Sequence, residues 1–265
     1  MFNYVFLFVL FGTLLEQTGA TAYVIKLARN LFKNSSGGPA KVAVVSSGLM
    51  GSLSGSAVAN TATTGTFTIP LMKSSGFDPE SAAGVEAAAS SGGALMPPIM
   101  GAGAYMMLEL VEPAVTYVEI IKAALIPAIL YYTALLLTVH FHSKRIGAEA
   151  ESEIGAESEG PMSRYQGFVF FGAFVILIAM LLSGFTPYRS VSVSLIGILV
   201  LSQFSELTRL SFPKVIQALV GAAKGGMTLI VAASCVGIIL GVVDLTGLGA
   251  SLPAKIQAFA NDSSI

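Results

Sequence analysis

Hydroxyl and amide oxygens crowd one short stretch of this chain: Ser52, Ser54, Ser56, Asn60, Thr61, Thr63 and Thr64 lie within the run SLSGSAVANTATT, with Gly55 among them. Hard oxygen donors of little net charge suit a sodium ion, and carbonyls freed at glycines complete such a shell. A second stretch runs Ser91-Gly92-Gly93-Ala94-Leu95-Met96-Pro97-Pro98, where two prolines remove backbone donors and two glycines weaken the turn before them. Ser52, Ser54, Gly55, Ser56, Asn60, Thr61, Thr64, Ser91, Gly92, Gly93 and Pro97 are therefore the candidate ion- or substrate-binding residues. Glu86, set in Ala-Gly-Val-Glu-Ala-Ala-Ala, is a candidate proton carrier, because desolvation among small apolar neighbours favours the uncharged acid. The competing explanation for each serine and glycine is close helix packing. Catalysis lacks its parts: His140 and His142 are remote in sequence, no GxSxG frame surrounds Ser52 or Ser54, and the single cysteine, Cys235, sits in an apolar run. The chain is not read as an enzyme and calls for no cofactor beyond a coupling ion, Na+ or H+.

The elements that must hold these residues are unusual in length. Val42 to Leu53 and Thr61 to Met72 are apolar arms, each spanning roughly 18 Å as helix, short of the ~30 Å hydrocarbon layer. Lys41 and Lys73 bracket the pair. A polar backbone at membrane depth is tolerated only where protein or a water-filled cavity satisfies it, so the arms predict a re-entrant helical hairpin over 42–72. The following segment, Ser81 to Glu109, is long enough to span but carries the glycine and proline pairs at its centre, which predicts a broken transmembrane helix over 81–110.

With 54% hydrophobic and 11% charged residues and a mean hydropathy of +0.78, the chain has the composition of an all-α polytopic membrane protein. A net charge of −1 and the absence of a basic stripe exclude a nucleic-acid partner; lipid is the expected surroundings. Phe2 to Leu15 reads as a retained apolar helix and Ala20 to Phe32 as an amphipathic interfacial one. Further spans are expected at Ala123 to Phe141, Gly167 to Ser183, Val191 to Gln203 and Met227 to Val243. Arg209 to Lys224 is expected as a second interfacial stretch, and Ser251 to Ala260 as a last amphipathic piece. Glu149, Glu151, Glu153, Glu157 and Glu159 mark an acidic connector. Tracking the crossings puts Lys26, Arg29, Lys33, Lys41, Lys73, Lys144, Arg145, Arg164, Arg209, Lys214 and Lys224 on one side, which is then cytoplasmic.

LLEQTG at Leu14 to Gly19 echoes VVDLTG at Val242 to Gly247, each closing an apolar helix, on opposite sides of the membrane. Such an echo predicts an inverted repeat. The expected organisation is a first repeat at 1–143, an acidic cytoplasmic loop at 144–166, connecting spans and an interfacial helix at 167–226, and the truncated start of a second, inverted repeat at 227–265.

The strings GSLSGSAVANTATTGTFTIPLM and GVEAAASSGGALMPPIMGAGAYMM resemble the large membrane subunit of tripartite ATP-independent periplasmic (TRAP) transporters, and within it the fused permeases that work with TAXI-type solute-binding proteins. The likeness is dense from Gly38 to Glu109. It implies an inverted-repeat secondary transporter of the bacterial inner (cytoplasmic) membrane, moving like an elevator and driven by an ion gradient. A periplasmic TAXI-type binding protein would deliver small organic acids to it. It further implies that Ser52 to Asn60 and Ser91 to Pro98 form ion and substrate sites, and that a chain ending before a second hairpin is a fragment. A channel, or an inert remnant of such a permease, are the alternatives; saturable, gradient-coupled flux separates the first from a transporter, and absence of uptake marks the second.

Overall fold

The computed structural model describes residues 2–111, 113–148 and 164–247, and among them the regular structure is helical throughout. The chain divides into two units, Met1–Gly226 and Met227–Ile265. Among the described residues ten helices follow in order: α1 Phe2–Gln17, α2 Ala20–Phe32, α3 Gly38–Ser54, α4 Ala57–Ser74, α5 Pro79–Gly93, α6 Ala102–Leu110, α7 Tyr117–Ile146, α8 Arg164–Leu182, α9 Pro187–Ser202 and α10 Phe212–Leu245. The acidic connector, Glu112 and the piece expected at 251–260 lie outside the described residues. Because α7 continues to Ile146 and α8 begins at Arg164, the loop expected over 144–166 is narrower at both ends.

Among the described residues, two helices are long and apolar enough to cross a membrane, α7 with a mean hydropathy of 2.0 and α8 with 2.2. A third crossing results if the α1–α2 pair counts as one span bent by 69°. The bend falls at Thr18-Gly19, where Gly19 takes φ 87° and the Thr18 hydroxyl donates to the Leu15 carbonyl at 2.6 Å. Its echo at the end of α10 also has a left-handed glycine, Gly247 at φ 65°, after a threonine bonded back into its helix, with the Thr246 hydroxyl 2.6 Å from the Val242 carbonyl and 3.2 Å from that of Val243.

α3 and α4 fold back on each other as a helical hairpin, joined only by Gly55 and Ser56. The arms have 17 and 18 residues, about 26 Å of rise, longer than the dozen residues expected. The tip polar residues continue the helices instead of ending them: Ser52 donates to the Leu49 carbonyl at 2.7 Å and Thr61 to the Ala57 carbonyl at 2.9 Å. Hydroxyls that bond back to their own turn leave a helix intact. The chain reverses at Gly55 because φ is 60° there, a conformation that costs a Cβ-bearing residue about 1–2 kcal/mol. Ser56 then caps α4, accepting from the Ala59 N–H at 3.3 Å.

The hairpin packs on α5 through a core of Ala40, Ala43, Val44, Met72, Ala82 and Ala89, closed by Tyr132 and Val139 of α7. α5 itself starts at Asp78, whose carboxylate accepts from the Ser81 N–H at 2.9 Å, with Pro79 at its first position. α7 starts at a capping box of Thr116 and Glu119, ahead of the Ala123 expected for that span. The separate interfacial stretch expected over 209–224 is instead the first half of α10. Its small residues explain this: Gly221 and Gly225 lie against Thr13 and Val9 of α1, and the Thr13 hydroxyl reaches the Ala218 carbonyl at 3.1 Å.

Candidate functional site

The tip of the hairpin rests on the break between α5 and α6. Residues 94–101 leave the helical path there, the Pro97–Pro98 peptide is cis, and Met100 takes a left-handed φ of 59°. A Cβ on Gly55 would stand 2.1 Å from the Met100 carbonyl oxygen, so only glycine fits the contact. One turn earlier α3 crosses α5 with backbone touching backbone: a Cβ on Gly51 would lie 2.2 Å from Gly93 Cα. Gly92 is covered by the rings of Tyr131 and Tyr132, whose hydroxyls donate to the Ala88 carbonyl at 2.7 Å and the Ala89 carbonyl at 2.8 Å.

The carbonyls expected to be free at the break are partly occupied. Tyr117 places its hydroxyl 2.8 Å from both the Pro98 and Ile99 carbonyls, Tyr105 donates to Ile99 at 3.0 Å, and the Gly101 N–H closes the loop onto the Ala94 carbonyl at 2.8 Å. The two tyrosines stack with centroids 5.8 Å apart and pack on Phe8. Nothing in the glycine and proline pattern pointed to these phenols. A cavity of about 640 Å³ opens beside the pair, lined by Tyr105, Thr116, Tyr117, Leu181, Phe185 and Thr186, none of them tip residues.

The hydroxyl-rich stretch divides when folded. Ser52, Thr61, Thr63 and Ser91 each donate to a carbonyl of their own helix, and Ser54 and Ser56 bond locally across the turn. Asn60 behaves differently. It is 1% exposed, its Nδ2 donates to the Ser47 carbonyl at 2.7 Å, and its Oδ1 is buried with no partner. An unpaired buried acceptor is costly and calls for a ligand, ion or water.

Thr64 turns away from the tip towards α5. There Glu86, 0% exposed, sits in a cage of four hydroxyls. Its Oε1 accepts from Ser47 of α3 at 2.8 Å, from Thr64 of α4, and from Ser90 of its own helix at 3.1 Å. Its Oε2 accepts from Thr68 at 2.6 Å. No cationic side chain pairs with the carboxylate among the described residues. Ser47, Thr68 and Ser90 were not among the residues singled out from sequence. A signal for them exists, since Thr64 and Thr68, like Glu86 and Ser90, are four apart and share a helix face.

An all-helical chain with apolar spans and polar groups buried at a hairpin and a helix break is an integral membrane protein of the helical class. Residues 2–264 match the family described as tripartite ATP-independent periplasmic transporter, DctM component, and the chain belongs to that family, the large permease of TRAP transporters. Its relatives include a protein of Haemophilus influenzae assigned as a TRAP transporter large permease, 27% identical over 90% of this chain and 56% of its own. The 2,3-diketo-L-gulonate TRAP transporter large permease protein YiaN of Escherichia coli is 27% identical over 82% of this chain and 50% of its own. The sialic acid TRAP transporter large permease protein SiaM of Vibrio cholerae is 28% identical over 71% and 43%. The chain spans about half the length of these curated relatives.

Proposed function

We propose that this chain supplies the hairpin and broken helix of a permease that imports small organic acids across a bacterial inner membrane, as a multi-pass protein fed by a periplasmic solute-binding protein of the TAXI type. An Na+ or H+ gradient drives the import. The hairpin is re-entrant, and the echo of Glu16 in Asp244 marks an inverted repeat whose two parts move as an elevator. The observation that carries the reading is the junction of Gly55 with Met100, which brings a hairpin tip and a helix break together beside an asparagine whose Oδ1 lacks a partner. Two relatives support the substrate class, since both are named for organic acids, 2,3-diketo-L-gulonate and sialic acid.

Of the residues first considered, Asn60 has the spare acceptor and is assigned the ion or substrate contact. Gly55, Gly92, Gly93 and Pro97 shape the junction, while Ser52, Ser54, Ser56, Thr61 and Ser91 support it through their own turns. The test is uptake of a labelled organic acid into proteoliposomes carrying the protein and its binding protein, under an imposed Na+ or H+ gradient. Saturable uptake that collapses with one gradient, and falls at least about tenfold in Asn60→Ala, is expected; a buried charge- or dipole-bearing contact is worth that much. Non-saturating flux, or uptake indifferent to Asn60→Ala, contradicts the reading.

A further inference from the structure

Glu86 poses a problem of its own. A carboxyl group enclosed by protein with no cation beside it is stable only if its surroundings answer to both of its charge states. The geometry points to a proton-exchanging site at Glu86 in which Thr64 and Thr68 switch hydrogen-bond acceptors as the proton arrives and leaves. The hydrogen bonds decide where the proton sits; the permease reading decides only what its passage drives.

Each threonine hydroxyl has one proton and more than one acceptor in range. Thr64 reaches Glu86 Oε1 or the Asn60 carbonyl at 2.8 Å. Thr68 reaches Glu86 Oε2 at 2.6 Å or the Thr64 carbonyl at 3.0 Å. With Glu86 ionised, all four hydroxyls donate to it. When a proton from water joins Oε2, the new O–H donates to Thr68 Oγ, and the Thr68 proton turns to the Thr64 carbonyl. Thr64 makes the same turn towards Asn60, while Ser47 and Ser90 remain on Oε1. The proton comes from a hydronium ion that leaves as water, so within the protein only the O–H bond of the acid forms or breaks, and Glu86, Thr64 and Thr68 keep hydrogen-bond partners in either state. The ionised form ties α3, α4 and α5 together through charge-assisted bonds from Ser47, Thr64 and Thr68; the acid gives up the one from Thr64, exchanges that with Thr68 for a neutral bond, and loosens the hairpin on α5.

The same distances favour a proton over a sodium ion in this cage. A cation needs several oxygens aiming lone pairs at a shared centre, whereas these oxygens lie at hydrogen-bond separations from one another, with Ser47 and Thr64 hydroxyls 3.0 Å apart. The surrounding charges leave the carboxyl to itself. On α7 the titratable neighbour is Tyr132, whose hydroxyl is taken by the Ala89 carbonyl. On α3, Lys41 is held at the hairpin base by Ser35 Oγ at 2.5 Å and the Ser36 carbonyl at 2.7 Å. Lys73 of α4 and Glu80 of α5 are exposed near their helix ends.

Infrared difference spectroscopy of the purified protein in lipid vesicles, across a pH series, tests this directly. A neutral-acid carbonyl band that grows on acidification, vanishes in Glu86→Gln and is unaltered in Thr66→Val is expected. Thr68→Val, lacking the hydroxyl that takes the acid O–H, moves the band to higher frequency, and Thr68→Ser restores it. Replacing potassium by sodium in the buffer leaves the band unchanged. A band that survives Glu86→Gln, no band at any pH, equal effects of Thr68→Val and Thr66→Val, or a sodium-dependent band each overturns the proposal. Helical circular dichroism confirms that each variant is folded, and Thr64→Val repeats the test where Thr68→Val is not. Vesicles that show the band but no uptake defeat the transport reading and leave the proton site standing.

Discussion

The hairpin carries two polar regions built in opposite ways. At its tip, seven oxygen-bearing side chains crowd a dozen or so residues, yet most of them bond to their own helix. Lower in the arms the polar residues are sparse in sequence, yet hydroxyls from α3, α4 and α5 meet on one carboxylate. The lesson is that density along the chain and convergence in space are separate properties. A serine or threonine in a helix has a carbonyl of its own within reach and takes it unless a stronger acceptor faces it. Glu86 is such an acceptor; the tip provides only Asn60 with an unmet need.

Substitutions at the junction should separate these regions most sharply. Gly51→Val forces a Cβ into the Gly93 backbone and is expected to destabilise by about 3 kcal/mol or more, read as a loss of thermal unfolding midpoint in detergent. Gly55→Ala combines a left-handed backbone with the clash on Met100 and should cost about 2 kcal/mol by the same measurement. Tyr117→Phe strips a hydroxyl from the buried Pro98 and Ile99 carbonyls and should cost about 1–3 kcal/mol. It also exposes the break to faster amide exchange at Gly101. Thr61→Val near the tip and Ser91→Ala near the end of α5, at positions with purely local bonds, should stay within about 0.5 kcal/mol of the parent.

The smallest effect is a matter of pH. The Ser81 N–H holds the Asp78 carboxyl below its ordinary range, so this N-cap contributes fully above the ordinary carboxylate pKa of about 3.9 and is lost as pH falls through the lower folded value. Protection of the Ser81 amide, measured against its intrinsic exchange rate at each pH, should therefore be lost only in acid, and should be absent at every pH in Asp78→Ala.

How far the amino-acid sequence disclosed this arrangement depended on the range of the signal. Glycine and proline act on their own residue, so the turn at Gly55 and the interruption between Gly93 and Ala102 were legible, as was α2 with its limits at Ala20 and Phe32. Hydroxyls inside helices sent a misleading message. They marked the edge of each apolar arm and so shortened the expected arms, although back-bonding lets α3 run to Ser54 and α4 restart at Ala57. Tyr105 and Tyr117 act on carbonyls six and nearly twenty residues away, a reach that no local pattern records. Glu86 was singled out because a carboxylate among alanines is conspicuous. Its partners Ser47, Thr68 and Ser90 became visible only when three helices were brought together. α10 was expected as two pieces because its charged first half looked distinct from the apolar run after it, whereas it is one helix from Phe212 to Leu245 whose small residues Gly221 and Gly225 lie against α1.

The convergence itself is open to a single measurement, a pair of double-mutant cycles on unfolding free energy. One cycle couples Thr68→Val with Glu86→Gln, the other Thr61→Val with Glu86→Gln. The arrangement described here predicts a coupling of about 1 kcal/mol or more in the first and within about 0.3 kcal/mol of zero in the second. Equal couplings, or none in the first cycle, would contradict a hydroxyl cage around Glu86.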